Sequence, residues 1–316
     1  MFEKIFNRPE LQSNPPVLVD IGASGALYPH WEQIAKYCIC IAFDPDLREM
    51  KHLDSGTSPY RELFVHNSIV SAEKKLESNF YLTKSPYCSS TLVPAVEPSI
   101  SVAPLFEIEK KVVLKTENLV DVLRAKNISH VDWFKTDSQG TDLRIFKSLG
   151  EETLRRVLIA DLEPGIIDAY KGEDKAWHVL QFMDEKNFWM SDMRVMSVKK
   201  IPRNWKKLSN ERDRTFRSGS ADSPGWTEMS FISDGTQEDF DIREFLLLWV
   251  FATIKNQHGF AFDIATRGTE KFSDVIFLEL ATESEKSATR KQRYNNRTTK
   301  IMRFTNRLKK IVKKIL

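Results

Sequence analysis

Three short stretches carry the residues best suited to chemistry. VLVDIGASG, residues 17–25, ends an apolar run in Asp20 and follows it with Gly22 and Gly25. Two glycines let a backbone approach a ligand closely and leave N–H groups able to bond it. A carboxylate at the head of that turn repels a pyrophosphate and suits an amine or a hydroxyl, and the dinucleotide pattern G-x-G-x-x-G is absent. The second stretch, CICIAFDPD, residues 38–46, ends in Asp44, about 20 residues beyond the glycine turn, where an acid can accept from two ribose hydroxyls. Asp20 and Asp44 together describe a nucleoside that also carries a positive group, and S-adenosylmethionine fits that description. The third stretch, VDWFKTDSQGTDLRIFKSLG, residues 131–150, closes a strand on Lys135-Thr136-Asp137, turns at a glycine, and continues into a helix face marked by Leu143, Ile145, Phe146 and Leu149.

Elements to position these stretches follow from the apolar pattern. Short apolar runs bounded by turn residues alternate with helical periodicity, the mark of a parallel sheet with crossover helices. Strands are expected near 17–21, 38–43, 62–67, 131–136 and 155–162, with helices at about 27–37, 46–53, 117–126 and 141–150. Residues 78–115 look like a hairpin-like excursion. After a helix near 174–187, two more strands, 188–198 and 226–234, are joined by residues 199–225, whose mixture of charge with Gly, Pro and Ser reads as a mobile loop. From about 236 to 280 the chain reads as mainly helical, with LWVFATI packing against the body.

Composition bounds the rest. The formal charge is only +3, yet residues 286–316 hold 12 Lys and Arg with no Asp or Glu, which leaves −9 on the remainder. An acidic body with a basic tail points the tail at a polyanion, an anionic membrane or an acidic partner. Three cysteines without C-x-x-C spacing argue against a disulfide framework or a zinc site and suit a reducing cytosol. No signal-like apolar segment opens the sequence, and the longest apolar run, residues 245–254, is about half a membrane span. A soluble or peripheral protein is expected.

The acid-Gly-Ala-Ser-Gly start, the Phe-Asp-Pro after the second strand and the segment K-x-D-x-Q-G-x-D at 135–142 resemble the FkbM-type branch of class I S-adenosylmethionine-dependent methyltransferases. The likeness runs from about residue 15 to 234 and takes in CSST at 88–91, LEPG at 162–165, Tyr170 and Gly172. It implies an α/β, Rossmann-like sheet of order 3-2-1-4-5-7-6 with the last strand antiparallel, and methyl transfer to a hydroxyl of a sugar or related acceptor, including glycan or lipid-linked ones. Carried over by position, Asp20, Gly22, Ala23, Ser24 and Gly25 would hold the methionine part of the cofactor, Asp44 the ribose, and Asn67 and Ser68 would lie near the adenine. Asp142 stands where Glu is frequent in the family. The implied domains are 1–235 for the methyltransferase, 236–284 for a helical extension and 285–316 for a basic amphipathic tail.

Methyl transfer from a sulfonium needs an aligned nucleophile and a base to take its proton. Asp137 is expected to be that base, or to position the acceptor hydroxyl, with Lys135 and Glu163 assisting; a structural ion pair competes for Lys135. No metal is expected. His30 is the histidine placed nearest the cofactor turn, with a plain surface position as the alternative. The cations and tryptophan of 199–225 either close over a phosphate- or carboxylate-bearing acceptor or form a surface insertion. In the tail, the stripe Ile301, Phe304, Leu308, Ile311 and Ile315 beside Lys309, Lys310, Lys313 and Lys314 suits an anionic membrane surface at the cytoplasmic face first, a protein partner second; nucleic acid is not expected. The competing reading of the whole chain is a non-catalytic methyltransferase-fold scaffold acting through that tail.

Overall fold

A computed structural model of the chain describes residues 1–23, 28–46 and 58–292. Residues 2–240 form one compact unit and the described residues from Asp241 onward belong to another. The larger unit opens with two short helices, α1 (Phe2–Phe6) and α2 (Pro9–Ser13), and enters β1 (Val17–Ile21). β2 (Ile39–Phe43) and β3 (Glu62–His66) follow, then β4 (Ile69–Val70), β5 (Glu77–Thr83) and β6 (Ile108–Glu117). After α3 (Leu119–Ala125) the chain runs through β7 (Trp133–Thr136), α4 (Asp142–Lys147), α5 (Gly150–Leu154), β8 (Ile159–Leu162), α6 (Ala176–Asp184), β9 (Phe188–Lys199), α7 (Asn210–Gly219) and β10 (Asp222–Ser233).

Seven strands make one sheet of order β3-β2-β1-β7-β8-β10-β9, in which β10 runs antiparallel to both neighbours. Numbered within the sheet this is 3-2-1-4-5-7-6, a mixed α/β, Rossmann-like arrangement. β1, β2, β7 and β8 are short and fully or nearly fully buried, which fits strands covered on both faces. On one face Val17, Val19, Ile21, Phe134, Ala160, Leu162 and Phe231 pack with Leu143 and Phe146 of α4 and Val179 and Met183 of α6. The excursion forms a second, three-stranded sheet of order β4-β6-β5, with β5 and β6 antiparallel as its hairpin-like pattern suggests.

Several expectations shift. The helix expected at 27–37 is two 3-10 turns, Pro29–Trp31 and Ala35–Tyr37, held by burial of Trp31, Ile34 and Ala35 rather than by a continuous helical ladder. Most of the helix expected at 46–53 lies outside the described residues. β8 starts later than 155 because α5 and a turn occupy the chain up to it. The segment 199–225, expected as a mobile loop, contains α7 and the first residues of β10. α7 buries no side chain; its Ser209 cap accepts from the Arg212 N–H and Asp213 pairs with Arg217 at 2.8 Å, so local capping and an i,i+4 ion pair sustain a helix that hydrophobic periodicity does not reveal.

In the smaller unit α8 (Ile242–Ile254) is buried almost all round, and its first turn is closed by a capping box between Asp241 and Glu244. α9 (His258–Phe272) follows, and residues 275–292 are helical. Gly268 of α9 lies where a Cβ would meet the Phe277 ring at 2.4 Å, and Trp249 donates to Ser284 Oγ at 2.9 Å. No described helix is long and apolar enough to cross a membrane. The tail stripe at 301–315 lies outside the described residues.

Candidate functional site

β1, β2 and β7 end side by side, and a cleft opens at their carboxyl ends. Gly22, Asp44, Ser68, Asp137 and Gln139 line it, with Tyr87 and Ser89 contributed by the connection between β5 and β6. Gly22 has φ +76, and a Cβ there would lie 2.2 Å from the Asp137 carbonyl oxygen, so the first turn and the β7 end touch only because this residue has no side chain. Ala23 is buried next to it, its N–H donating to Phe43 O at 3.1 Å; Ser24 and Gly25 lie outside the described residues.

Asp44 stands at the tip of β2. Its carboxylate lines the cleft, is 4% exposed, and accepts the Asp46 N–H at 2.7 Å through one oxygen. Burial, opposed by that backbone hydrogen bond, pushes its pKa up to about 6. Asn67 donates to Asp44 O at 2.8 Å and so supports the turn. Ser68 lines the cleft with its hydroxyl donating to Glu117 at 2.5 Å. Glu117 also takes His66 Nδ1 at 2.8 Å; burial works against its charge, but bonds from Lys115, Ser68 and His66 hold it down to about 2.

Asp20 is placed differently from expectation. It is fully buried, lies outside the cleft lining, receives the Tyr28 N–H at 3.3 Å and pairs with Lys135 Nζ at 3.0 Å. The physical reason is position along β1: Ile21 and Gly22 reach the cleft edge, whereas Asp20 stands short of it, within the paired part of the sheet. Lys135 thus forms the structural ion pair that competed with its assisting role. Its ammonium also donates to Gly22 O at 3.0 Å and approaches Ile21 O at 3.5 Å, so its donors are spent on the turn. Burial alone would lower its pKa; Asp20 and Asp137 outweigh that and hold it above the usual lysine value, which leaves a permanently charged clamp in place of a proton shuttle.

Asp137 meets the cleft and is oriented by a chain of contacts. Gln139 Nε2 donates to Asp137 Oδ1 at 2.5 Å, and the Tyr170 hydroxyl lies 2.7 Å from Gln139 Oε1. Gln139 itself has φ 56, and its carbonyl accepts from Ser90 at 2.7 Å, which gives the CSST patch its place. Burial raises the Asp137 pKa against the pull of Lys135. Asp142 anchors the turn below, accepting from Thr136 at 2.9 Å and the Ser138 N–H at 3.0 Å.

Sheet register sets further carboxylates beside Asp137. Lys135 pairs with Asp161 and Asp161 with Ser230, so one polar row, Asp20, Lys135, Asp161 and Ser230, crosses four strands on a single face. One step past the paired ends, Asp137, Glu163 and Glu228 stand abreast on that face. Among the described residues the Glu163 carboxyl has no hydrogen-bond partner, and burial together with the Asp137 charge pushes it up to about 9. Glu228 contacts Arg194 at 3.5 Å. Tyr28, edge-to-face with Trp31 and Trp133, has its phenol pushed well up by burial and by Asp161, which also accepts from Trp133 Nε1 at 2.7 Å. His30 is exposed and leans on Tyr28 at 4.9 Å between ring centroids.

A family model described as the methyltransferase FkbM domain matches residues 20–190. The chain belongs to the FkbM methyltransferase family. Nothing among curated proteins or solved structures matches it. The FkbM match begins at Asp20 and covers every cleft residue named above; Glu228 lies beyond it. Tyr28, Asp161 and Glu228 escaped sequence reasoning because only strand register, and not local spacing, brings them to this edge. Several cations of 199–225 form ion pairs: Arg203 and Lys200 meet Glu97, Lys206 meets Glu107, and Arg217 meets Asp213. Among the described residues no cluster suited to a metal ion occurs.

Proposed function

We propose that this FkbM methyltransferase uses S-adenosylmethionine to methylate a hydroxyl of a sugar or related polyol. The observation that carries the reading is the cleft itself. A glycine turn pressed against the β7 end and a buried carboxylate, Asp44, at the neighbouring strand tip offer bare backbone and a ribose acceptor in one crevice. Bound there, S-adenosylmethionine supplies the electrophilic methyl group. Asp44 would accept from the ribose hydroxyls, Gly22 would admit the methionine portion, and Ser68 would border the base. With Asp20 committed to Lys135, Asp137 is the cleft carboxylate closest to the glycine turn.

Asp137 also takes the hydroxyl proton of the acceptor. Its raised pKa makes it a stronger base than an ordinary carboxylate once ionised, and Gln139 and Tyr170 fix its direction. Glu163, neutral at pH 7, can donate a hydrogen bond to an acceptor oxygen, and Glu228 can accept one, which suits neighbouring hydroxyls better than a phosphate. A carboxylate row facing vicinal hydroxyls is the reason for preferring a polyol.

Calorimetric titration with S-adenosylmethionine and S-adenosylhomocysteine tests the first step, with saturable one-to-one heats expected. A chain that binds neither is a scaffold. Transfer of a tritiated methyl group to glycans and nucleotide-linked sugars tests the second. The basic residues at 300–316 are proposed to hold the enzyme to anionic membrane; flotation with anionic liposomes should be lost on truncation after Ser287.

A further inference from the structure

The β9–β10 pair runs past the rest of the sheet. β8 ends at Leu162, opposite Met229, so residues 222–228 of β10 lie beyond the carboxyl end of β8, on the edge where the cleft opens. α7 joins the two strands of this ribbon. One side of the joining segment is fastened to the body: Arg217 donates to Ser101 O at 3.1 Å and pairs with Asp213, and the Trp205 ring centre lies 5.0 Å from the Arg217 guanidinium and 5.7 Å from the Lys206 ammonium.

The other side of α7 has no such fastening. Arg212, Thr215 and Phe216 stand three and four residues apart, share one helix face, and line a groove with Pro202, Asn204 and Leu208. No acid lines it, and Phe216 is 44% exposed. Eight cations lie between 199 and 217. Five are matched, Lys199 by Asp222, Lys200 and Arg203 by Glu97, Lys206 by Glu107 and Arg217 by Asp213. Lys207, Arg212 and Arg214 are exposed and meet no carboxylate among the described residues. Arg212 belongs to the groove and Lys207 adjoins its Leu208, whereas Arg214, two residues beyond Arg212, falls on the far side of the helix.

We infer that the groove face of α7 rests on an anionic lipid surface, with Phe216 and Leu208 entering the headgroup layer and Arg212 and Lys207 meeting lipid phosphates. An exposed apolar floor between unmatched cations suits such a boundary. Nucleic acid would use the charge and leave Pro202, Leu208 and Phe216 without a purpose. The sequence repeats the composition at 300–316, where Ile, Phe and Leu alternate with Lys and Arg, so one surface serves both segments. Because the ribbon leaves the sheet on the edge of the cleft, this contact brings membrane-borne acceptors to the side on which the cleft opens; that consequence alone rests on the methyl-transfer reading.

The three described cysteines are buried, so Thr215→Cys gives the full chain a single reactive site for an environment-sensitive dye. The dye should shift to the blue with vesicles of phosphatidylglycerol mixed with phosphatidylcholine and stay unmoved with phosphatidylcholine alone. Lys207→Gln with Arg212→Gln should raise the lipid concentration for half the shift at least about tenfold, since each cation near such a surface contributes about fivefold. Arg214→Gln should change it less than about twofold, because the width of a helix separates it from the groove and is close to the screening length. Phe216→Ser should remove the shift with charge untouched. α7 buries no side chain, so these variants should melt with the wild type. A dye unmoved by anionic vesicles overturns the inference, whether or not the chain floats by its tail. So does equal sensitivity to Arg214 and Arg212, or a shift that an oligonucleotide reproduces and Phe216→Ser leaves intact.

Discussion

Two groups of carboxylates share one face of the central sheet and differ in how they are used. Asp20, at the base, is fully buried and matched by Lys135, by the Tyr28 N–H and by no opening to the cleft. Asp137, one step further along its strand, lines the cleft, and Glu163 and Glu228, abreast of it in the sheet register, are shifted upward or sparsely partnered. A satisfied buried charge is architecture, whereas an under-satisfied one retains free energy that a ligand or a proton can release. The difference teaches that motif position alone does not assign a role: both Asp20 and Asp137 stand at a strand end in the family pattern, and only Asp137 lines the cleft.

The sharpest way to break this contrast is Lys135→Met. Removing the clamp strands Asp20 as an unpaired buried charge and should destabilise the protein by about 3–5 kcal/mol in denaturant unfolding, with cofactor binding lost. A stable, binding-competent Lys135→Met would make Lys135 dispensable to the turn. Asp137→Asn should leave S-adenosylhomocysteine affinity within about threefold and lower kcat by about 10²- to 10⁴-fold; equal loss of both would move Asp137 from chemistry to binding. Asp44→Asn should raise the cofactor Kd by about 10- to 100-fold through the loss of charge-assisted hydrogen bonds.

Glu163 sharpens the contrast through pH. Its folded pKa, about 9, lies above the ordinary value of 4.5, so its contribution to stability is complete below 4.5 and disappears as pH rises towards 9. Glu163→Gln should therefore flatten stability against pH across that window, and should cost less than about tenfold in turnover at pH 7, where the wild-type side chain is already neutral. Wild-type turnover should rise as Asp137 ionises and fall above about pH 9. Smallest of all, Tyr170→Phe should reduce kcat by about two- to fivefold and move the rising limb of that profile, because Gln139 would lose its outer partner.

How far the sequence could be read follows from what each feature depends on. β1, β2 and the β7–α4 unit were legible because apolar runs, glycine and helical spacing are local, and the sheet order came with the family resemblance those motifs carry. The Asp20–Lys135 pair was not: 115 residues separate its members, and only parallel register brings them opposite each other. Glu228 is an extreme case, reaching Glu163 through an antiparallel strand outside the recognised segment. α7 was hidden for the opposite reason, since its signals are polar and its apolar pattern is blank.

The wall of the cleft formed by Tyr87 and Ser89 belongs to the same connection whose later residues, Glu97 and Glu107, hold Arg203, Lys200 and Lys206. These contacts are solvent-facing, and ions at 1 M shorten the reach of such attractions to about 3 Å. That side of the crevice is thus tied to the 200–206 segment in part by ions: brine should loosen the tie without unfolding the sheet.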